Sequence, residues 1–313
     1  MGPNIKIFVS RRAGIDSNIV DNDLYINVNC GHIFAASKNQ DNIFNDDTGS
    51  NISEKASRFG ELSVQYWAWK NHEADYYGLC HYRRYLSFSD CKYPVIAYTK
   101  YPADLGHVLC YRLNRSSAKK YSLDDRIKMV ETIQQYDVLY SDSIPISLFR
   151  QSLGTDEVCV RDRWNNSELI TQSMMERLLE LIKIEKPHYY RSAIDYLSGD
   201  QFYGHNIFVM KKELFEELCN FEYPILFILD FETDYSDERV NKRAVGYCSE
   251  ILFGIFIHEV IKRPGVKSKG LQCIYFKKTG KHELIRRFIN SIHDDGVMNT
   301  SRKIINEIMR LLC

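Results

Sequence analysis

The chain has no excess of either charge: 41 basic side chains stand against 41 acidic ones in 313 residues. It therefore lacks the basic footprint of a protein that grips duplex nucleic acid, and nucleic acid is not expected as a partner. No apolar run reaches the roughly 20 residues of a membrane-spanning helix. The strongest, residues 223–231, is far shorter. The nine cysteines form no Cys-x-x-Cys pair and no metal-ligand spacing, and the first residues show no basic stretch leading into an apolar one. A reducing, cytoplasmic setting with free thiols is expected. Repeats and low-complexity stretches are also missing, which excludes a solenoid and a disordered tail. What is present is 44% hydrophobic content, enough for a substantial core in one large or two ordinary domains.

The richest stretch is residues 59–85, FGELSVQYWAWKNHEADYYGLCHYRRY. Phe59, Leu62, Tyr66 and Trp69 recur at spacings of three and four, a helical stripe with Asn51, Ser53 and Glu54 as capping chemistry upstream. Residues 76–80 then change period to a short aromatic-rich run that fits a buried strand, with His81, Tyr82, Arg83 and Arg84 at its end. In open α/β sheets ligands bind beyond the carboxyl ends of strands, and guanidinium groups pair bidentately with phosphate oxygens, so this cluster suits a diphosphate. The alternative follows from strand geometry. Successive strand residues point to opposite faces, which would leave one of the two arginines in an internal ion pair.

Elsewhere the α/β grammar repeats. Residues 5–9 read as a first strand feeding a polar turn at Ser10-Arg11-Arg12, the usual opening of a nucleotide-binding unit. Residues 39–53 are loop-like, a second site candidate or simply a turn with an Asx cap. Residues 87–120, with Pro94 and Pro102 among tyrosines, read as an excursion or flap. A helix opened by Ser122 and Asp125 leads to a strand at 137–140; a further helix spans about 168–185 and is stopped by Pro187. Residues 202–210 read as one strand containing Gly204-His205-Asn206, and 213–229 as a helix. The last element of the body surrounds Arg243 to Glu250. Beyond Gly270 the pattern turns basic and amphipathic, so the expected division is a body over 1–265 and a helical extension over 266–313 that either rests on a membrane surface or packs on the body.

Taken together, the motifs resemble those of the bacterial family known as domain of unknown function 4422, found in capsular and O-antigen polysaccharide gene clusters. They are the Gly-x-Asn-Ile-Ser loop at Gly49 to Ser53, the helix from Glu61 to Asn71, and Gly-Leu-Cys-His-Tyr-Arg-Arg-Tyr at Gly78 to Tyr85. Later features are Tyr136-Asp137-Val138, Asn206 to Met210, and Arg243 with Gly246 and Glu250. The likeness covers roughly residues 5–257. The chain departs from the family pattern at Arg11-Arg12, Ser50 and Ala56, which bears on the donor's identity. The resemblance implies an α/β fold with a GT-A-like nucleotide-binding mixed sheet flanked by helices, and a glycosyltransferase using a UDP-sugar, with galactofuranosyl or galactosyl transfer favoured. The acceptor it implies is a glycan or lipid-linked glycan, with no separate cofactor.

Most GT-A enzymes hold a divalent ion on Asp-x-Asp at a strand end. In this chain Asp230-Phe231-Glu232 has the spacing, but it ends a helical run on which residues two apart diverge. The slot in chain order is filled by His81-Tyr82-Arg83. Fixed cations, Arg83 or Arg84 with His81, are thus expected to stabilise the departing diphosphate, a divalent ion remaining the alternative. For an inverting transfer the general base is Glu250 in first place and Asp200 in second. Asp47 and Asn51 are expected at the donor's ribose or base, and Asn206 and Arg243 at the donor. A noncatalytic glycan-binding or scaffold protein is the competing class.

Overall fold

The computed structural model describes residues 2–12, 17–35 and 43–279. Strands β1 (Ile5–Arg12), β2 (Tyr25–Cys30) and β3 (Phe44–Asn45) come first. Helices α1 (Ala56–Phe59) and α2 (Leu62–Asn71) follow, then β4 (Tyr76–His81) and β5 (Arg84–Leu86). The middle holds β6 (Val108–Arg112), α3 (Arg115–Lys120), α4 (Arg126–Gln134), β7 (Val138–Ser141) and β8 (Ile144–Pro145). Four helices, α5 (Ile146–Leu153), α6 (Val160–Asn165), α7 (Gln172–Glu185) and α8 (Pro187–Leu197), precede β9 (Gln201–Phe202) and β10 (Phe208–Lys211). Helices α9 (Lys212–Glu232) and α10 (Ala244–Val260) and strands β11 (Ser268–Leu271) and β12 (Cys273–Lys278) complete the described chain.

Among the described residues the main sheet has ten strands, seven of them in the order β11-β7-β10-β4-β1-β2-β3, with β5, β6 and β12 attached beside that row. β1 runs parallel to both β2 and β4, β2 to β3 and β7 to β11, while β10 is antiparallel to its two neighbours. The chain moves outward from β1 to β2 and β3, then returns to place β4 on the other side of β1. That reversal leaves a crevice between the carboxyl ends of β1 and β4. Both strands are buried along nearly their whole length because helices or loops cover each face. Alternate side chains feed different layers: Phe8, Tyr77 and Leu79 join one apolar cluster, and Ile7, Val9, Tyr76 and Cys80 the other.

Three details depart from the sequence reading. Residues 202–210 are not one strand: β9 pairs with β8 in a separate two-stranded sheet, β10 joins the main one, and His205 (φ 75°) and Asn206 (φ 46°) turn between them in the left-handed region. The body does not end at residue 265. β11 extends the main row beside β7 and β12 pairs with β5 and β6, because the Asp137 carboxylate and backbone clamp Lys267 at the sheet's edge. The rest of the expected helical extension, from residue 280 onward, lies outside the described residues. Residues 87–120 include β6 and α3 rather than forming a bare excursion. No described helix is long and apolar enough to cross a membrane.

One buried group predicts a measurable pH dependence. Glu222 on α9 is 1% exposed and receives the amide of Gln65 on α2; burial pushes its carboxyl up to about 8. The folded state therefore keeps a proton that the unfolded chain releases near pH 4.5, so stability is full below that value and declines as pH rises toward 8. Thermal melts should fall by several degrees across this window, and Glu222→Gln should flatten the decline. Identical slopes in wild type and variant would rule out Glu222 as the cause.

Candidate active site

The crevice beyond β1, β2 and β4 holds two adjoining cavities. The larger, about 620 Å³, lies against Ser10, Arg11, Arg12, Cys30 and Gly31 at the ends of β1 and β2. The smaller, about 250 Å³, is lined by Arg83, Arg84, Arg163, His205, Asn206 and Glu250 among others. Glu61, His81 and Arg243 border both, so the two cavities meet at those three side chains.

The sequence argument against placing both arginines in one pocket assumed that β4 runs on through them. It does not. β4 ends at His81, the chain turns over at Tyr82 and Arg83, and Arg84 pairs back on His81 as the first residue of β5. The turn cancels the alternation, and both guanidiniums line the smaller cavity. They are supported from beneath by aromatic faces, Arg83 over Tyr82 and Tyr275 at 5.4 and 5.7 Å and Arg84 over Tyr275 at 5.1 Å. Arg84 Nη2 donates to the Ala103 carbonyl at 3.2 Å. Among the described residues neither arginine has a carboxylate within salt-bridge distance, which removes the internal ion pair as their explanation. Tyr82 itself packs into the core below Arg83.

His81 is not a third cation. Burial, then the charges of Arg84, Arg83 and Arg243, hold its imidazole well below the ordinary histidine range. Its Nδ1 accepts the Arg83 backbone N–H at 3.3 Å, so the neutral ring carries its proton on Nε2.

Opposite the arginines stands Glu250, two turns into α10. The N–H of His205 donates to Glu250 Oε2 at 3.3 Å, an anchor supplied by the left-handed turn before β10. Burial raises its carboxyl to about 7, Glu61 adding to the rise and Arg84, His205 and Arg243 opposing it. Sequence reasoning missed Glu61, whose motif position reads as an ordinary helix start. The structure places it at the head of α2, where Oε1 receives Asn206 Nδ2 at 3.4 Å and Oε2 lies 3.8 Å from Arg243 Nη2. Asn206 is buried and also donates to Ser249 Oγ at 3.0 Å, so it ties Glu61 to α10 as well as lining the cavity. Two glycines permit this convergence. A Cβ on Gly60 (φ 57°) would sit 2.7 Å from Arg243 Nη2, and one on Gly246 would sit 2.9 Å from the Arg58 carbonyl, pushing α10 off α1.

Besides Tyr82, three expected site residues lie elsewhere. Asp200 is exposed and lines neither cavity, since the short β9 turns it outward. Asp47 holds His32 Nδ1 at 2.8 Å, and Asn51 makes an Asx turn with Ser53 and Gly49; neither reaches the cleft. The loop's contribution comes from Asp46. Fully buried, it accepts from the N–H groups of Gly31 and His32 and from the hydroxyls of Ser53 and Ser63 at 2.6–3.0 Å, which fixes the turn after β2 that walls the larger cavity. Arg163, on α6, is a further cation of the smaller cavity that the sequence did not single out.

Among the described residues no group of three or more His, Cys, Asp or Glu is placed to hold a metal ion. The slot in question carries an imidazole, a phenol and a guanidinium and no carboxylate, a donor set that does not fit a hard divalent cation such as magnesium. Asp230 and Glu232 diverge as the helical period requires, the first paired with Lys55 and Arg58 at 2.7 and 2.9 Å, the second with Arg177 at 2.7 Å.

The family model described as "Domain of unknown function (DUF4422)" matches residues 6–262. Among solved structures, the apo form of the WbbM bifunctional glycosyltransferase is similar, with a TM-score of 0.75 at 23% identity, over 88% of this chain and 46% of that one. The chain thus spans about half the length of that neighbour, and the likeness is one of fold, a GT-A-like mixed sheet flanked by helices. No curated protein matches the chain.

Proposed function

This chain belongs to the DUF4422 family, and on that premise we propose that it is a glycosyltransferase, moving a sugar with inversion from a UDP-sugar to a glycan or lipid-linked acceptor of a bacterial surface polysaccharide. Galactofuranose and galactose are the favoured sugars. The observation that carries the reading is the pair Arg83 and Arg84, both lining one cavity and, among the described residues, without a carboxylate in salt-bridge distance, facing the same space as a glutamate whose carboxyl is raised to about 7.

The larger cavity falls within the roughly 300–1,000 Å³ of small-molecule sites and takes the nucleoside. The diphosphate reaches from the junction, where Arg243 supplies forked N–H donors and His81 Nε2 a neutral one, into the smaller cavity, where Arg83 and Arg84 supply theirs. Glu250, ionised, removes the proton of the acceptor hydroxyl as that oxygen bonds to the anomeric carbon. The bond from that carbon to the diphosphate oxygen breaks on the far side, and UDP leaves with its new charge met by the guanidiniums. The low dielectric around the arginines strengthens that interaction at the moment the charge appears.

Isothermal titration with UDP followed by a screen of UDP-sugars for transfer or hydrolysis tests the reading. Saturable UDP binding is expected, as is turnover unchanged by EDTA, because protein cations carry the leaving group's charge. Loss of turnover in EDTA with recovery in manganese would transfer that role to a metal ion. Absence of UDP binding would leave the glycan-binding scaffold as the better account.

A further inference from the structure

The smaller cavity, about 250 Å³, falls below the roughly 300–1,000 Å³ that encloses a drug-sized ligand. It has room for the reacting end of a glycan and not for the sugars behind it, which must leave across an exposed surface at its rim. One chain segment that leads into the cavity wall carries exposed aromatic rings. Pro102 and Ala103 line the cavity, and just before them in the chain Tyr98 and Tyr101 are 81% and 58% exposed. Rings this bare, on a segment that leads into the cavity wall, are free to meet a ligand that leaves the cavity on that side.

The support is fixed at three places. Tyr93 exchanges hydrogen bonds with the Gln272 side chain at 2.9 and 2.8 Å. Ile96 and the His107–Gly106 pair close a backbone clasp at 2.8 and 3.0 Å, and Thr99 is bound through both its backbone groups by Ser152 of α5 at 2.9 and 3.0 Å. Its far end is joined to the chemistry: the Ala103 carbonyl receives Arg84, and the His107 ring lies 4.6 Å from that of His205, whose N–H anchors Glu250. The segment over 93–107 is therefore a strap running from outward-facing tyrosines to the wall of the reaction cavity.

Resting on the glycosyltransferase reading, we propose that this strap is the acceptor track: Tyr98 and Tyr101 stack against sugars of a saccharide chain whose terminal unit occupies the smaller cavity. A tyrosine suits this because its ring offers a flat apolar face to the C–H side of a pyranose or furanose while its hydroxyl stays in water. Rings held on a pinned backbone lose little freedom on binding.

The test measures the affinity of the full chain for galacto-oligosaccharides from the monosaccharide to the hexasaccharide, in wild type and in Tyr98→Ala/Tyr101→Ala. Melting temperature and UDP affinity serve as controls of folding. Wild type is expected to bind longer chains progressively more tightly, and the double variant to lose about fivefold to tenfold on the hexasaccharide with little change for the monosaccharide, an aromatic contact's usual worth. Affinity that does not rise with chain length, or a rise that survives in the variant, overturns the proposal. Binding to phosphatidylglycerol vesicles that the variant alone loses would assign the tyrosines to a membrane surface instead. UDP failing to bind wild type sinks the parent reading, whereas UDP binding with a flat glycan series sinks only the track.

Discussion

Glu250→Gln is expected to lower kcat by about 10²–10⁴-fold, the usual contribution of a positioned general base, while leaving UDP affinity nearly intact. The amide keeps the shape of the carboxylate and can still accept the His205 N–H, so α10 and the turn before β10 should stay in place. What disappears is the capacity to take a proton. The wild-type rate should also rise with pH through an apparent pKa of about 7, because Glu250 acts only when ionised and burial holds it protonated below that value. In the variant that limb should vanish from whatever rate remains. Glu61 lines the same cavity, so a variant retaining both full rate and pH limb would move the base to Glu61 or to solvent. Stability runs the opposite way to activity: the proton Glu250 keeps in the folded state contributes fully below about pH 4.5, and that advantage is lost as pH rises to about 7.

The sequence made the parts of this site readable to different degrees, for physical reasons that differ from residue to residue. The stripe through Leu62, Tyr66 and Trp69 and the run at 76–80 declared a helix and a strand because burial imposes their periods, and α2 and β4 occupy those places, whereas Phe59 ends the separate α1 across the break at Gly60. Glu250 was readable because its motif spacing from Arg243 survives as α10. The position of Arg83 and Arg84 was readable only in part. Their rank at a strand end was evident, but a reversal as tight as Tyr82-Arg83 carries no glycine, asparagine or proline to announce it, so alternation was the natural and wrong assumption.

Three misreadings share another cause, which is that long-range partners decide what local pattern leaves free. His205 and Asn206 accept positive φ because Glu250, Ser249 and Glu61 bond them, and all three come from distant points of the chain. Asp46 rather than Asp47 shapes the cleft because Gly31, Ser53 and Ser63 converge on it, and two adjacent aspartates in a polar loop look alike before that convergence exists. β11 and β12 read as the start of the tail because the basic, amphipathic pattern beyond Gly270 sets where it begins, yet Leu271, Cys273, Ile274 and Phe276 fill the core.

Arg84→Ala should cost about 10²–10³-fold in kcat, the range seen when one preorganised donor to a developing negative charge is removed, and it should differ from Glu250→Gln in what else it changes. Arg84 meets phosphate charge already in the ground state, so its loss should also weaken UDP, and the preference for UDP over uridine should shrink because only UDP has phosphates to contact. Arg84→Lys should recover little of this. An ammonium is a point charge, whereas the guanidinium lies over Tyr275 at 5.1 Å and donates to Ala103 at 3.2 Å while still lining the cavity. The backbone pairing of Arg84 with His81 involves no side-chain atom, so the hairpin that places Arg83 should persist in both variants. Arg83→Ala should give a loss of the same kind, and the double variant less than the product of the two, because neighbouring charges act on one ligand. Wild-type discrimination between UDP and uridine in Arg84→Ala, together with an unchanged rate, would show that the pair serves the hairpin's packing and that the leaving group's charge is met elsewhere.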